Sequence, residues 1–130
     1  MLINIRRFVR FSLVGVSGVA VNQGLLFLLT NYVLGERLYL AAAVISTEMS
    51  VLNNFIWNEV WTFKDKHYSN SVYGRLLKFH GSRLLGILIG LVILYILTDV
   101  MGIHYLFSNL ASIAASTIVN YLTSDLWVWR

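Results

Sequence analysis

The sequence predicts an all-α membrane protein: four transmembrane helices arranged as two parallel-repeat helical hairpins, with both termini cytoplasmic. Three observations predict it. Hydrophobic residues make up 58% of the chain and charged residues only 12%, and the mean hydropathy is +0.71, a balance foreign to a soluble domain. Four apolar runs are long enough for spanning helices, which need roughly 20 residues each. The same aromatic ending, NNFIWNEVWTF at 53–63 and VNYLTSDLWVW at 119–129, closes the second run and the fourth.

The first run, FSLVGVSGVAVNQGLLFLLTNYVLG, lies between Arg10 and Glu36 and holds no charge. It is too long for a signal peptide, lacks a small-residue cleavage pattern and is followed by further spans, so it reads as a mature helix. The second extends from Leu38 to Asn58 and is interrupted only by Glu48. The third, from about Leu76 to Met101, holds Arg83 near its start. The fourth, from about Ile103 to Ser124, has no acid or fixed cation.

Orientation follows from the cations. Arg6, Arg7 and Arg10 precede the first span, Lys64, Lys66, Arg75, Lys78 and Arg83 lie between or just inside the second and third, and Arg130 follows the fourth. Only Arg37 falls on the other side, so the positive-inside rule places both termini and the 65–74 loop in the cytoplasm. The net charge of +4 does not indicate nucleic acid, because the cations flank apolar runs and form no patch interleaved with exposed aromatics. With no cysteine, disulfides, thiolate metal sites and thiol nucleophiles are excluded.

The ending belongs to a longer repeat. RFVRF at 7–11 matches RLLKF at 75–79, and Ser46, Ser50, Asn54, Glu59, Trp61 and Phe63 match Ser112, Ser116, Asn120, Asp125, Trp127 and Trp129. The offset falls by two, which places a length difference in the hairpin turn. The chain is thus expected to be one domain over 1–130, with repeat 1 at 7–64 and repeat 2 at 75–130. Two spans per repeat bring both copies into the membrane from the same side, a parallel repeat. Trp61, Phe63, Trp127 and Trp129 are expected to anchor the hairpin ends at the interface, where amphipathic rings suit the headgroup layer.

Polar positions inside the spans divide into two kinds. Ser46, Ser50, Asn53, Asn54 and Trp57 share one side of the second span, and Ser112, Ser116, Asn120 and Thr123 the corresponding side of the fourth. Gly15, Gly18 and Asn22, like Arg83, Gly86 and Gly90, make one face of the first and third spans. Small and hydroxyl residues in register are expected to be helix-packing seams. The other kind is unmatched between repeats: Glu48 aligns with Ala114, Arg83 with Gly15, and Asn22 with Gly90. A charge at bilayer depth costs about 2.5 to 3.5 kcal/mol on insertion scales, so these positions are the candidates for function. Two plainer readings stay open: Arg83 snorkelling to the surface, and Glu48 pairing with Arg83.

The pattern R-F-x-x-V-G at Arg10, Phe11, Val14 and Gly15, then N-x-x-x-N-x-x-W-T-F at Asn54, Asn58, Trp61, Thr62 and Phe63, with a weaker copy at Asn120, Trp127 and Val128, resembles the GtrA-like family of small four-helix membrane proteins. The resemblance covers nearly the whole chain. It implies a role at the cell membrane in cell-surface glycan or glycolipid assembly, translocating polyprenyl-phosphate-linked monosaccharides or supporting the glycosyltransferases that use them. On that reading the lipid phosphate docks near Arg83 with Arg75 and Lys78, whose cationic heads suit phosphate oxygens. The sugar passes a polar seam of Asn22, Glu48, Asn54 and Asn58. Four helices enclose little space, so a homo-oligomer is expected, with membrane lipids and, in a supporting role, a glycosyltransferase as partners.

No catalytic machinery is expected. There is no nucleophile elbow, phosphate loop or paired catalytic carboxylate, and His67, His80 and His104 have no metal-site spacing, so neither cofactor nor metal is predicted. Two rivals stay open. One is a small proton-coupled drug or cation antiporter using Glu48, against which the W-T-F repeat and the one-way charge bias argue. The other is a non-transporting membrane scaffold for a glycosyltransferase.

Overall fold

The computed structural model describes residues 4–66 and 71–130; His67 and the centre of the 65–74 loop lie outside the described residues. The described structure is all-helical, and it separates into two compact units, Met1–Asp65 and Lys66–Arg130. The first unit contains α1 (Ile5–Leu28) and α2 (Tyr39–Trp57); the second contains α3 (Val72–Tyr95) and α4 (Tyr105–Thr123). Within each unit the two helices pack against each other.

Each helix closes on a π-helical stretch: Leu29–Val33, Asn58–Thr62, Ile96–Val100 and Ser124–Val128. With these extensions, Ile5–Val33 and Val72–Val100 are each 29 residues long and apolar enough to cross a bilayer. By the rise of 1.5 Å per residue they reach about 43 Å. The α2 and α4 helices are shorter, at 19 residues each, and carry the polar stripes, which dilute their hydropathy along one face.

Local chemistry explains the boundaries. The Asn4 side chain caps α1 by accepting from the Arg7 amide at 3.1 Å, and Ser71 caps α3 by accepting from the Gly74 amide at 3.1 Å. Both turns hinge on a glycine with positive φ, Gly35 at 85° and Gly102 at 73°, a region unfavourable to other residues. After Gly35 the chain makes a 3-10 turn, Glu36–Leu38. After Gly102 only Ile103 and His104 precede α4, and the His104 ring accepts from the Leu106 amide at 3.2 Å. The length difference between the repeated sequences therefore falls on both sides of the turn glycine.

The seam of each unit is a glycine on one helix facing an asparagine on the other. A Cβ at Gly18 would overlap the Asn54 amide, and one at Gly86 would overlap the Asn120 amide. Ser50 donates to the Gly18 carbonyl at 2.7 Å, and Ser112 donates to the Gly90 carbonyl at 2.6 Å. Because the side chain at the crossing is absent, the helices close to hydrogen-bonding range of each other's backbone.

Candidate functional site

The end of each unit opposite its turn concentrates cations and aromatics. In the first unit, Phe11 meets Phe63 edge to face with centroids 6.3 Å apart. Arg7 stands 5.8 Å from the Phe63 centroid, and Arg10 lies 5.3 Å from that of Trp61. The Arg10 guanidinium also donates to the Trp61 carbonyl at 3.5 Å. In the second unit, Phe79 meets Trp129 edge to face at 5.6 Å, and the Lys78 ammonium stands 5.8 Å from the Trp127 centroid. These are the same pairs transposed, so RFVRF and W-T-F, like RLLKF and W-V-W, are two halves of one cation-π and edge-to-face arrangement.

That arrangement sorts the four aromatics expected at the interface. Trp61 is half-buried and Trp127 is 46% exposed, whereas Phe63 and Trp129 are completely buried. Residues two apart on a helix point to nearly opposite sides, so with Phe63 packed inward against Phe11 and Trp129 against Phe79, Trp61 and Trp127 face outward.

Ion pairs tie the chain beyond α2 to its surroundings. Asp65 accepts from Arg7 at 3.2 Å. Burial alone would raise the Asp65 carboxyl, but the Arg7 hydrogen bond and the positive charges of Arg7 and Arg10 hold it below the ordinary carboxylate range. In the second unit, Lys66 reaches Asp125 at 2.9 Å and also donates to the Asp125 carbonyl.

Of the residues expected to meet a lipid phosphate, Lys78 stands over Trp127, and Arg75, three residues earlier on α3, is buried. Arg83 is half-buried and forms no hydrogen bond or ion pair among the described residues. Of the residues expected along a sugar path, Asn54 is buried at the α1–α2 seam against Gly18, Asn58 is buried in the π-helical stretch that follows α2, Asn22 is half-buried, and Glu48 lies on the exposed face of α2. Glu48 thus projects from another side of the helix than Asn54, as its register with Ser46 and Ser50 requires.

Sequence reasoning missed a groove. Beside Arg10 a trough of about 480 Å³ runs between α1 and the end of α2, lined by Leu13, Val14, Ser17, Trp57, Val60 and Trp61. The signal was present in the spacing: Arg10, Leu13, Val14 and Ser17 share a face of one helix, and Trp57, Val60 and Trp61 a face of the other. An apolar trough with a guanidinium stacked at its mouth can take an amphiphile, chain in the trough and anionic head at the arginine.

The match to known proteins is decisive on family. Residues 10–129 match the family model described as "GtrA/DPMS, transmembrane domain". The chain belongs to this family. It is therefore a membrane protein, and the GtrA-like resemblance of the sequence is sound. Over 125 residues, 96% of its length, it is 42% identical to a dolichol-phosphate mannosyltransferase of Pyrococcus furiosus. It spans only 34% of that relative. It is also 28% identical over 120 residues to the uncharacterized membrane protein YngA of Bacillus subtilis, covering 92% of this chain and 77% of YngA. Both similarities cover more than nine-tenths of the chain and so extend into both units.

Proposed function

We propose that this GtrA/DPMS-family chain binds a polyprenyl-phosphate-linked monosaccharide in the membrane and translocates it for cell-surface glycan or glycolipid synthesis. The observation that carries the reading is the Arg10–Trp61 pair at the mouth of the apolar trough. An isoprenoid chain suits the trough, whose lining is lipid-like, and a phosphate suits the arginine, whose planar fork pairs with phosphate oxygens while the indole holds it in place. The similarity to a dolichol-phosphate mannosyltransferase supports the same class of lipid. In the second unit Lys78 over Trp127 offers a like site, with Arg75 and Arg83 on the same helix.

The proposed topology has four spans, a parallel repeat, and termini and basic loop in the cytoplasm, with the positive-inside distribution in support. It locates the phosphate sites at the cytoplasmic surface. Asn22, Asn54 and Asn58 supply polar groups to the sugar during crossing, which matters because each uncompensated hydroxyl costs about 2 kcal/mol or more to desolvate. A homo-oligomer belongs to this reading, because four helices enclose little space for a sugar. The chain is not itself catalytic in this reading.

A second reading is favoured by one observation. The match occupies about a third of a protein named as a transferase, which suits a module that holds the lipid for a glycosyltransferase without moving it. Reconstitution separates the two. In liposomes containing a polyprenyl-phosphate sugar, wild type is expected to expose the sugar of both leaflets to an impermeant probe. Arg10→Ala and Glu48→Gln are expected to slow this, with Arg10→Ala also weakening lipid binding. If wild type binds the lipid but moves it no faster than empty liposomes, the holding module stands and translocation falls.

A further inference from the structure

The ends of the units that carry the turns hold a second pair of cavities, unrelated to the phosphate sites. In the first unit a cleft of about 610 Å³ forms where α1 passes through its π-helical stretch into the turn, lined by Gln23, Phe27, Thr30, Asn31, Glu36 and Tyr39. In the second a cleft of about 520 Å³ is lined by Tyr95, Thr98, Asp99, Tyr105 and Asn109. Both fall within the usual range of small-molecule sites, about 300 to 1,000 Å³. By the repeat, Phe27 corresponds to Tyr95, Thr30 to Thr98, Asn31 to Asp99 and Tyr39 to Tyr105. The aromatic, threonine and Asn31/Asp99 positions therefore recur, while Gln23 is matched by Leu91 and Asn109 by Ala43.

We propose that these clefts bind a neutral hexopyranose. A pyranose presents an apolar C–H face and a rim of hydroxyls, and each cleft presents the complement of both. The aromatic pairs Phe27 with Tyr39 and Tyr95 with Tyr105 are all more than half exposed, leaving ring surface for the C–H face. Glu36 in one cleft and Asp99 in the other accept from hydroxyls. Gln23 and Asn109 can both donate and accept. Asn31 donates to the Phe27 carbonyl at 2.9 Å, which fixes its side chain and leaves its oxygen for a ligand. The Thr30 and Thr98 hydroxyls are closed off from solvent, so the ligand's hydroxyls are met by the exposed carboxylates and carboxamides, Glu36, Asp99, Gln23, Asn31 and Asn109. Leu26 in the first cleft and Leu91, Leu94 and Leu106 in the second complete an apolar wall; an acyl chain would cover that wall but leave the carboxylates and carboxamides without a partner. A cationic ligand explains the acids and the rings but not the carboxamides.

The inference goes beyond lipid-phosphate binding: it concerns the sugar alone, at the opposite end of each unit. Free glycosides without a lipid therefore test it separately. Saturation-transfer NMR on the protein in nanodiscs would use methyl α-mannoside, methyl α-glucoside and methyl α-galactoside, with tetramethylammonium as the cationic probe. Wild type is expected to saturate the ring protons of at least one glycoside, unchanged by tetramethylammonium. The Tyr39→Leu/Tyr105→Leu double variant, matched in elution and helicity, is expected to lower that signal about five-fold, the scale of lost aromatic contact. No saturation of any glycoside in wild type, an undiminished signal in the variant, or displacement by tetramethylammonium overturns the proposal. Should the double variant misfold, Glu36→Gln with Asp99→Asn, both at exposed positions, decides in the same way: loss of signal supports the site and an unchanged signal removes it.

Discussion

The two units solve one packing problem with different hydrogen bonds. Both set a glycine against an asparagine, Gly18 with Asn54 and Gly86 with Asn120. Beyond that crossing they part. In the second unit Ser112 donates to the carbonyl of Gly90; in the first, the position corresponding to Gly90 is Asn22, and the corresponding serine, Ser46, is buried with its hydroxyl unpartnered. The first unit is instead joined by Ser50 to the Gly18 carbonyl and by Asn53 to the Ser17 hydroxyl at 3.1 Å. The second adds Ser82 against Thr123 at 2.5 Å. The glycine–asparagine crossing thus determines how the helices meet, while the hydroxyl contacts around it are interchangeable. The first unit forgoes one of them where Asn22, a candidate functional residue, has replaced glycine.

Substitution at the shared crossing should have the largest effect in both units. Gly18→Val and Gly86→Val are each expected to destabilise the protein by about 1–3 kcal/mol through overpacking, read as a fall in Tm in detergent. Gly15→Ala, where an added Cβ meets nothing within 4 Å, should leave Tm unchanged. Combining Gly86→Ala with Asn120→Ala should recover part of the loss from Gly86→Ala alone; an additive double variant would mean that the asparagine is not what the glycine accommodates.

Next in size is the contrast between ion pairs. Lys66 and Asp125 are 20% and 11% exposed in their side chains, so Lys66→Met leaves a poorly solvated carboxylate and should cost about 1–3 kcal/mol. Asp65, with 63% of its side chain exposed, should cost only about 0.2–1 kcal/mol as Asp65→Asn. Equal losses would show that burial does not distinguish the two pairs.

The serine contrast is smaller. Ser112→Ala should lose about 0.6 kcal/mol, the mean for an interhelical hydrogen bond in a membrane protein. Ser46→Ala removes a hydroxyl that has no partner and should be neutral or stabilising. A loss at Ser46 equal to that at Ser112 would restore full equivalence between the units.

The smallest effect concerns pH. Because the folded state depresses the Asp65 carboxyl, the unfolded state binds its proton first as pH falls. The stability from the Arg7 pair is present in full above the ordinary carboxylate pKa and is lost as pH falls through the depressed folded value. Wild-type Tm should therefore decline slightly further on acidification than that of Asp65→Asn, and less so in high salt. Parallel pH profiles would remove Asp65 as a contributor.

Much of the helical organisation was legible because it follows from periodicity. Apolar runs marked the helices, and the register of Ser46, Ser50 and Asn54, like that of Ser112 and Asn120, marked the sides that pack, since a helix repeats its faces at a fixed angle whatever lies opposite. The family followed from R-F-x-x-V-G and W-T-F. The burial of Phe63 and Trp129 was not legible, because the W-x-F and W-x-W spacing sets only that the two aromatics of each pair face opposite sides, and packing against Phe11 or Phe79 decides which one is inside. The two faces that line the trough beside Arg10 were present in the spacing, but their meeting was not legible, because each face is apolar and ordinary alone. The turn-end clefts were hidden likewise: Thr30, Glu36 and Tyr39 are scattered in the sequence and meet only when the chain reverses at Gly35.

The amino-acid order by itself determined a helical membrane chain, its repeated basic and aromatic ends, and the small-residue faces, all consequences of hydropathy and helical period. Tertiary structure alone decided which aromatic of each pair is buried, which seam hydroxyl finds a carbonyl, and where cavities open. Those outcomes depend on the distance between two helices, and that distance is set by side chains on both at once.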